Sequence, residues 1–150
     1  MYYLVQFVHK GQKMQSIFHL AFNVTDLEET RVFYRDILGC TEGRSTDTWV
    51  DFNFFGHQIS MHLGEPFKVK NTGKVGEHLV SMPHLGVALQ LDAWERVAKR
   101  LEAVDTKFII APVGRFLGEV GEQYTMFFTD PSGNPIEIKG FKSLDMVFDS

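Results

Sequence analysis

Apolar residues alternate with small or polar residues in two short stretches of the chain, and these two stretches resemble each other. The first is His19-Leu20-Ala21-Phe22-Asn23-Val24 and the second is His84-Leu85-Gly86-Val87-Ala88-Leu89. A period of two is typical of a strand with two different faces. Each stretch therefore predicts a strand whose histidine shares a face with small neighbours. Because such a repeat reports on the whole architecture, the sequence predicts two copies of one module.

Each of these strands is followed by a predicted amphipathic helix. The first helix has Thr25 and Asp26 as capping residues and ends at Gly39, a residue typical of the position after a helix. The second begins at Asp92, with Glu95 completing a capping box, and its apolar residues follow helical spacing.

Strand-like sequence fills the rest of each module. The predicted strands are a short one near residues 40–44, then 48–55 and 58–63 in module one, and 107–111, 123–129 and 135–140 in module two. The fold class is therefore α+β, with two β-α-β-β-β modules. We assign one domain to residues 14–141: module one is 14–64, a linker is 65–82, and module two is 83–141. The linker lacks periodicity and is expected to be exposed, where it could overhang the site. Residues 1–13 are predicted to be an extension and residues 142–150 a tail.

Composition narrows the class of protein. The 150 residues suffice for one domain with a core, and 14 phenylalanines predict an aromatic core or an apolar pocket. A net charge of −4 without a basic stretch argues against nucleic-acid binding. No apolar run reaches the ~20 residues that cross a bilayer. The single cysteine, Cys40, excludes a disulfide framework within one chain and fits a reducing compartment, so we expect a cytoplasmic protein.

One carboxylate lies where the sequence predicts core. Glu137 stands between Ile136 and Ile138 in the last predicted strand, and an ionised carboxylate in such a place requires a positive partner. A divalent metal ion meets this need, and the alternative is an ion pair with Lys139 or Arg115.

The positions of three histidines favour a metal ion, as opposed to an ion pair, as the partner of Glu137. His19 and His84 occupy equivalent positions of the repeat, and His62 lies on the last strand of module one as Glu137 does in module two. Imidazole and carboxylate ligands suit Fe, Mn, Zn, Ni or Co. For His62 the alternative remains a polar surface shared with Gln58 and Ser60.

The chain resembles the vicinal oxygen chelate superfamily, which includes glyoxalase I, extradiol dioxygenases, fosfomycin-resistance proteins and bleomycin-resistance proteins. The resemblance runs from about Met14 to Phe141. It is carried by the strand from His19 to Val24 with the helix after it, by Pro83-His84-Leu85-Gly86-Val87, and above all by Phe128-Thr129-Asp130-Pro131-Ser132-Gly133-Asn134-Pro135-Ile136-Glu137. It implies a curved, barrel-like mixed sheet around a divalent metal ion. It also implies that the metal ligands are His19, His62, His84 and Glu137.

The resemblance predicts a metal-dependent enzyme that binds a small substrate through two adjacent oxygens. Glyoxalases of this family usually have a carboxylate where this chain has His62, whereas extradiol dioxygenases use two histidines and one glutamate, so we lean slightly to a dioxygenase. The alternatives are a glyoxalase I-like lyase and a metal-free protein that sequesters a drug, as bleomycin-resistance proteins do.

For an enzyme of this kind, we expect the following roles for individual residues. Glu137 and His62 are expected to take part in catalysis, and the predicted substrate-binding residues are Arg115, Gln123, Tyr124 and Phe54. The partners expected are a small-molecule substrate and a second copy of the chain in a homodimer. Whether the modules join within one chain or across the dimer remains open.

Overall fold

The computed structural model of the protein describes residues 16–149 and divides them into two modules joined by a hairpin. Module one contains β1 (His19–Val24), α1 (Leu27–Arg31) continued by a π-helical turn (Val32–Ile37), β2 (Thr41–Ser45), β3 (Trp49–Phe54) and β4 (His57–Leu63). The hairpin is formed by β5 (Lys70–Val75) and β6 (His78–Met82). Module two contains β7 (Leu85–Gln90), α2 (Leu91–Ala103), β8 (Ile110–Arg115), β9 (Gln123–Thr129) and β10 (Pro135–Phe141), and a 3₁₀ helix (Leu144–Phe148) follows. The predicted α+β class with two β-α-β-β-β modules is confirmed.

Each module builds one four-stranded sheet in which the first strand lies beside the last. The strand orders are β1-β4-β3-β2 and β7-β10-β9-β8. The pairs β1 with β4 and β7 with β10 are parallel, and the other pairs within these two sheets are antiparallel. As a result β1 and β7 are edge strands.

Both sheets bury one face in a common core. The buried side chains that make up this core come from both modules and include Phe22, Val50, Phe52, Ile59, Met61, Trp94, Leu101, Met126, Phe128, Ile136 and Ile138. Because side chains alternate along a strand, the residues between these point to the opposite face of each sheet. We call that opposite face the site face of module one or of module two. Each sheet thus turns its site face away from the core that the modules share.

The hairpin replaces the predicted exposed linker. Val80 of β6 is buried, and with Val75 it packs against Ile110 and Phe127, which lie on the site face of module two. The segment therefore covers part of that face. Its other residues are mostly exposed, which explains why the sequence shows no clear periodicity there. The predicted tail contains the 3₁₀ helix, which contacts β7 and β10, and the predicted extension of residues 1–13 lies outside the described residues.

The helices follow the sequence signals in part. Asp26 accepts a hydrogen bond from the backbone N–H of Glu29 (2.8 Å), and Gly39 has the positive φ (+80°) expected after a helix. α2 instead begins at Leu91, one residue before the predicted cap Asp92, with no side chain capping it. Burial raises the pKa of the Cys40 thiol to about 12, consistent with a structural role. No helix within residues 16–149 is long and apolar enough to span a membrane.

The turn between β9 and β10 is organised by one buried carboxylate. Oδ1 of Asp130 accepts hydrogen bonds from the backbone N–H groups of Ser132 and Asn134, both at 2.9 Å. Oδ2 accepts from the Asn134 side-chain amide (3.0 Å) and from the hydroxyl of Tyr34 (2.9 Å). Since Tyr34 belongs to module one, this carboxylate joins the two modules.

Two further hydrogen bonds attach the same turn to module one. The amide of Asn134 also donates to the carbonyl oxygen of Asn23 (3.1 Å), at the end of β1. The backbone N–H of Thr25 donates to the Ser132 hydroxyl (2.9 Å). The most specific sequence signature of the chain therefore acts as a structural connection between its two halves.

Replacement of Asp130 by Asn should destabilise the protein by about 3 kcal/mol, because an amide nitrogen would face buried donors that now meet an oxygen of Asp130. Burial raises the pKa of Asp130 above its ordinary value of 3.8, so ionisation is less favourable in the folded chain than in the unfolded one. The stability that Asp130 contributes should therefore fall as the pH rises from about 4 through this raised pKa. Urea unfolding of both proteins should show the larger difference at pH 4 and the smaller at pH 7. An unchanged difference, or a loss no greater than in the exposed-turn variant Asp47→Asn, would contradict this assignment.

Candidate metal centre

The side chains of His84 and Glu137, the two metal ligands predicted in module two, are in contact. Nε2 of His84 lies 3.2 Å from Oε2 of Glu137, and both side chains are largely buried, with 21% and 10% exposed. Gly86 is the residue directly opposite Glu137 in the parallel pair of β7 and β10, which brings His84, two residues earlier, alongside β10. The structure therefore brings together two of the residues that the sequence repeat singled out.

Hydrogen bonds orient both of these groups. Nδ1 of His84 lies 2.8 Å from the carbonyl oxygen of Ser81, which accepts the proton of Nδ1. The hydroxyl of Thr125 donates to Oε1 of Glu137 (2.8 Å). In the neutral imidazole, the lone pair of Nε2 then faces a carboxylate oxygen, and two acceptors in this position need a cation or a proton between them. Such orientation of a histidine and a carboxylate by outer partners is typical of metal ligands.

The alternative partners of Glu137 do not pair with it. In the part of the chain that the structure describes, no ion pair joins Glu137 to Lys139 or Arg115. Lys139 shares the site face of module two with it, and the guanidinium of Arg115 lies over the ring of Phe116, 4.9 Å from its centroid. The cation that Glu137 requires therefore comes from His84, or from an ion bound between them.

The strand register corrects the position of His62. In module one Ala21 lies opposite Ser60, and in module two the equivalent residue Gly86 lies opposite Glu137. The counterpart of Glu137 is thus Ser60, and His62 lies two residues further along β4. His19 is opposite Gln58, four residues before His62, which separates the two histidines by about 13 Å along the strands.

His62 and His19 therefore do not belong to one ligand set. His62 instead stacks on Trp49, with ring centroids 6.1 Å apart. This outcome corresponds to the alternative that the sequence left open, a residue of the polar surface. The sequence does not show the register between paired strands. The prediction therefore chose the equivalent strand, β4, but a residue two positions beyond the counterpart of Glu137.

His19 is exposed and lies apart from the module two pair. Among residues 16–149, no three side chains of His, Cys, Asp or Glu are close enough to hold one metal ion. The four predicted ligands are therefore not assembled within a single chain. The reason is architectural, since each sheet turns its site face away from the common core.

A polar cluster on the site face of module one was missed by the sequence analysis. Asp51 is 8% exposed, and it accepts hydrogen bonds from the hydroxyl of Ser60 (2.5 Å) and from the amide of Gln58 (3.2 Å). A signal was present, because Asp51 stands between Val50 and Phe52 just as Glu137 stands between two isoleucines.

The predicted substrate-binding residues divide between the two faces. Phe54 and Tyr124 lie on the core side, where Phe54 packs near Tyr34 and Tyr124 packs on Trp94 with ring centroids 5.5 Å apart. Phe52 and Met126, which lie two residues away on the same strands, are buried, so alternation places Phe54 and Tyr124 on the core side as well. Phe54 nevertheless lines a cavity that also includes His84. Arg115 and Gln123 do share the face of Glu137, since they are paired with each other in line with Thr125. Gln123 is four residues from Phe127, the neighbour of Glu137, and thus about 13 Å away at the rim.

The chain belongs to the Glyoxalase/Bleomycin resistance protein/Dioxygenase superfamily, since the sequence model of that family matches residues 16–138. A similar solved structure is the glyoxalase/bleomycin resistance protein/dioxygenase from Alicyclobacillus acidocaldarius. The two chains are 27% identical with a TM-score of 0.71 over 89% of this chain and 97% of that one.

More distant structures share the fold. The fosfomycin resistance protein FosX from Listeria monocytogenes is 18% identical, with a TM-score of 0.65 over 89% of this chain and 98% of that one. A glyoxalase/dioxygenase from Nostoc punctiforme is 20% identical, with a TM-score of 0.62 over 91% and 97% of the two chains. The family resemblance drawn from the sequence is thereby confirmed.

Replacement of Gly86 by Ala should destabilise module two by about 3 kcal/mol, because the added Cβ would lie 1.6 Å from the carbonyl oxygen of Glu137 and force β7 away from β10. Gly43→Ala is the matched control, since its Cβ would meet no atom nearer than 3.3 Å and should change stability by less than about 1 kcal/mol. Thermal unfolding of the two variants measures the difference. Equal effects would contradict the close approach at Gly86.

Proposed function

We propose that this protein is a metal-dependent enzyme that binds a small substrate through two adjacent oxygens, with the metal held by His84 and Glu137 of one chain and by His19 of a second copy. The observation that carries the proposal is the pair of oriented acceptors on module two, His84 Nε2 and Glu137 Oε2 at 3.2 Å. Both are fixed by partners that leave their lone pairs facing each other.

The residues fit a divalent ion of the borderline class. Two imidazoles and one carboxylate suit Fe, Mn, Zn, Ni or Co, and three protein ligands leave positions open for a chelating substrate. A metal bound there would act as a Lewis acid and a template for the substrate oxygens.

The protein leaves space directly above these ligands. A cavity of about 270 Å³ is lined by His84, Glu137, Lys139 and the small residues Gly86 and Ala88. The small residues let a substrate approach the two ligands closely. Lys139, on the same face, provides a positive charge for an anionic substrate group.

The ligand set favours dioxygenase chemistry over glyoxalase chemistry. With His62 removed from the set, two histidines and one carboxylate remain, and this combination is typical of non-haem Fe(II) oxygenases. The position that mirrors Glu137 in module one is held by Ser60, not by the carboxylate that glyoxalases of the family usually have there. A lyase of the glyoxalase I type is therefore the weaker alternative.

A metal-free binding protein is the second candidate, and one observation favours it. A cavity of about 750 Å³ has mostly apolar walls, among them Phe18, Leu20, Phe54 and Ile59 of module one and Phe148 of the C-terminal 3₁₀ helix. It is large enough for an aromatic ligand. It is also lined by His84 and Gly86 of β7, so it reaches the edge of the candidate metal site.

A homodimer would complete the metal site. The edge strands β1 and β7 each have a backbone edge that pairs with no strand among residues 16–149, so a second copy can bring its β1 beside β7. In a twofold arrangement this happens twice, which gives two equal sites per dimer.

Metal analysis of the purified protein should give one divalent ion per chain. Substitution of His19, His84 or Glu137 by Ala should lower metal occupancy at least about tenfold, because each removes one of three ligands. His62→Ala is the matched control and should keep its metal. An apo protein that still binds aromatic ligands would favour sequestration instead, and loss of metal in His62→Ala would contradict the register argument.

Mixing of variant subunits tests whether the site is shared. His19→Ala and His84→Ala homodimers should each lack metal, because every site in them is damaged. After unfolding and joint refolding, random pairing should restore about a quarter of the wild-type metal, since half of the dimers are mixed and each mixed dimer has one intact site. Recovery of no metal, or a monomer in analytical ultracentrifugation that still binds metal, would contradict a shared site.

A further inference from the structure

The geometry points to Asp51 as a positioning residue: we propose that it holds the Ser60 hydroxyl as a hydrogen-bond acceptor at the metal centre, so that the site selects ligands carrying a hydroxyl proton. This inference rests on the proposed function, since it places Ser60 beside the metal. It concerns the chemical class of ligand, vicinal hydroxy acids or diols as opposed to fully deprotonated or carbonyl chelators.

The first support is the position of Ser60. The register makes it the structural counterpart of Glu137, because Ala21 and Gly86 are equivalent in the repeat and lie opposite Ser60 and Glu137 respectively. Both belong to the site faces of their sheets. If module one completes a site with module two of another chain, Ser60 faces the same ion or its ligand as Glu137 does, from the opposite side.

The second support is the direction of the hydrogen bond. A carboxylate can only accept, so the Ser60 hydroxyl must donate its single proton to Oδ1 of Asp51, at 2.5 Å. Oδ2 is occupied in the same way by the amide of Gln58, at 3.2 Å. The hydroxyl of Ser60 then has only lone pairs left to offer to a ligand.

The third support is the burial of Asp51 without a cation. Asp51 is 8% exposed, and within residues 16–149 no Lys, Arg or His forms an ion pair with it. Asp130, Glu122 and Glu137 are also buried acids, and they have respectively four hydrogen-bond donors, Lys142 and His84 as partners. A buried carboxylate with two neutral donors is expensive unless a positive charge approaches it. The proposed metal, one hydroxyl away, supplies that charge.

The Ser60 hydroxyl should therefore favour ligands that can donate a hydrogen bond over ligands that can only accept one. A ligand group above Ser60 that carries a proton gains a hydrogen bond, whereas a group with only lone pairs meets another acceptor. Glycolate and oxalate are suitable probes, because both chelate through adjacent oxygens, yet at neutral pH glycolate keeps a hydroxyl proton and oxalate has none.

The experiment measures the ratio of glycolate to oxalate affinity on the cobalt-loaded dimer, by calorimetric titration and by the visible absorption of the metal. The ratio is compared among variants, because intrinsic chelation strength affects all of them equally. Ser60→Ala should lower it about tenfold through weaker glycolate binding, which corresponds to one lost hydrogen bond. Ser60→Thr should restore it.

Asp51→Ala should lower the ratio through the other ligand. Without the carboxylate the Ser60 hydroxyl is free to turn and donate to oxalate, so oxalate should bind more tightly. Asp47→Ala, which removes an exposed carboxylate from the turn before β3, should leave the ratio within twofold of the wild type. Cobalt content is recorded for every protein.

The outcomes separate the two proposals. Failure of the wild type to bind cobalt would overturn the proposed function and this inference together. Normal cobalt content with an unchanged ratio in Ser60→Ala or in Asp51→Ala, or with neither anion bound by the wild type, would overturn this inference alone.

Discussion

The parallel pairing of the first and last strands in each module determines what the rest of the molecule can do. It sets Glu137 beside Gly86 and Ser60 beside Ala21, with side chains of each pair on the same face. A shift of one residue would turn Glu137 into the apolar core and Ile136 out of it. Because Ile136 and Ile138 are fully buried, the core itself enforces the register that holds the candidate ligands in place.

The connection between modules explains why the two site faces are separated. The carboxylate of Asp130 accepts the Tyr34 hydroxyl, and Phe33 packs against Phe128, so the helix of module one lies on the core face of module two. Both sheets then share one core and present their polar faces outward. The proposed site needs residues from both faces, so under that proposal one of them would come from another chain and the chemistry would require a dimer.

The sequence was sufficient to predict the architecture and the contact between two of the four candidate ligands. Duplication, strand alternation and a carboxylate between isoleucines led to the fold and to the contact of His84 with Glu137, because these signals are local. His62 was misassigned because β1 and β4 are joined by pairing that depends on register, which no local pattern encodes. Phe54 and Tyr124 lie on the core side of their strands, as their even spacing from Phe52 and Met126 already indicates, and Phe54 lines the larger cavity.

A neutral serine at position 60, opposite the carboxylate of Glu137, affects the net charge of the proposed site. A divalent ion held by two neutral imidazoles and one carboxylate keeps a net charge of about +1, which attracts a single anionic substrate group. A second carboxylate at position 60 would cancel that charge and repel the substrate. Placing the carboxylate of Asp51 one hydroxyl further away retains part of its favourable field for the ion, while the first shell stays positive. A serine in one module and a glutamate in the other, at equivalent register positions, would therefore leave the proposed site with the positive charge that an anionic substrate group needs.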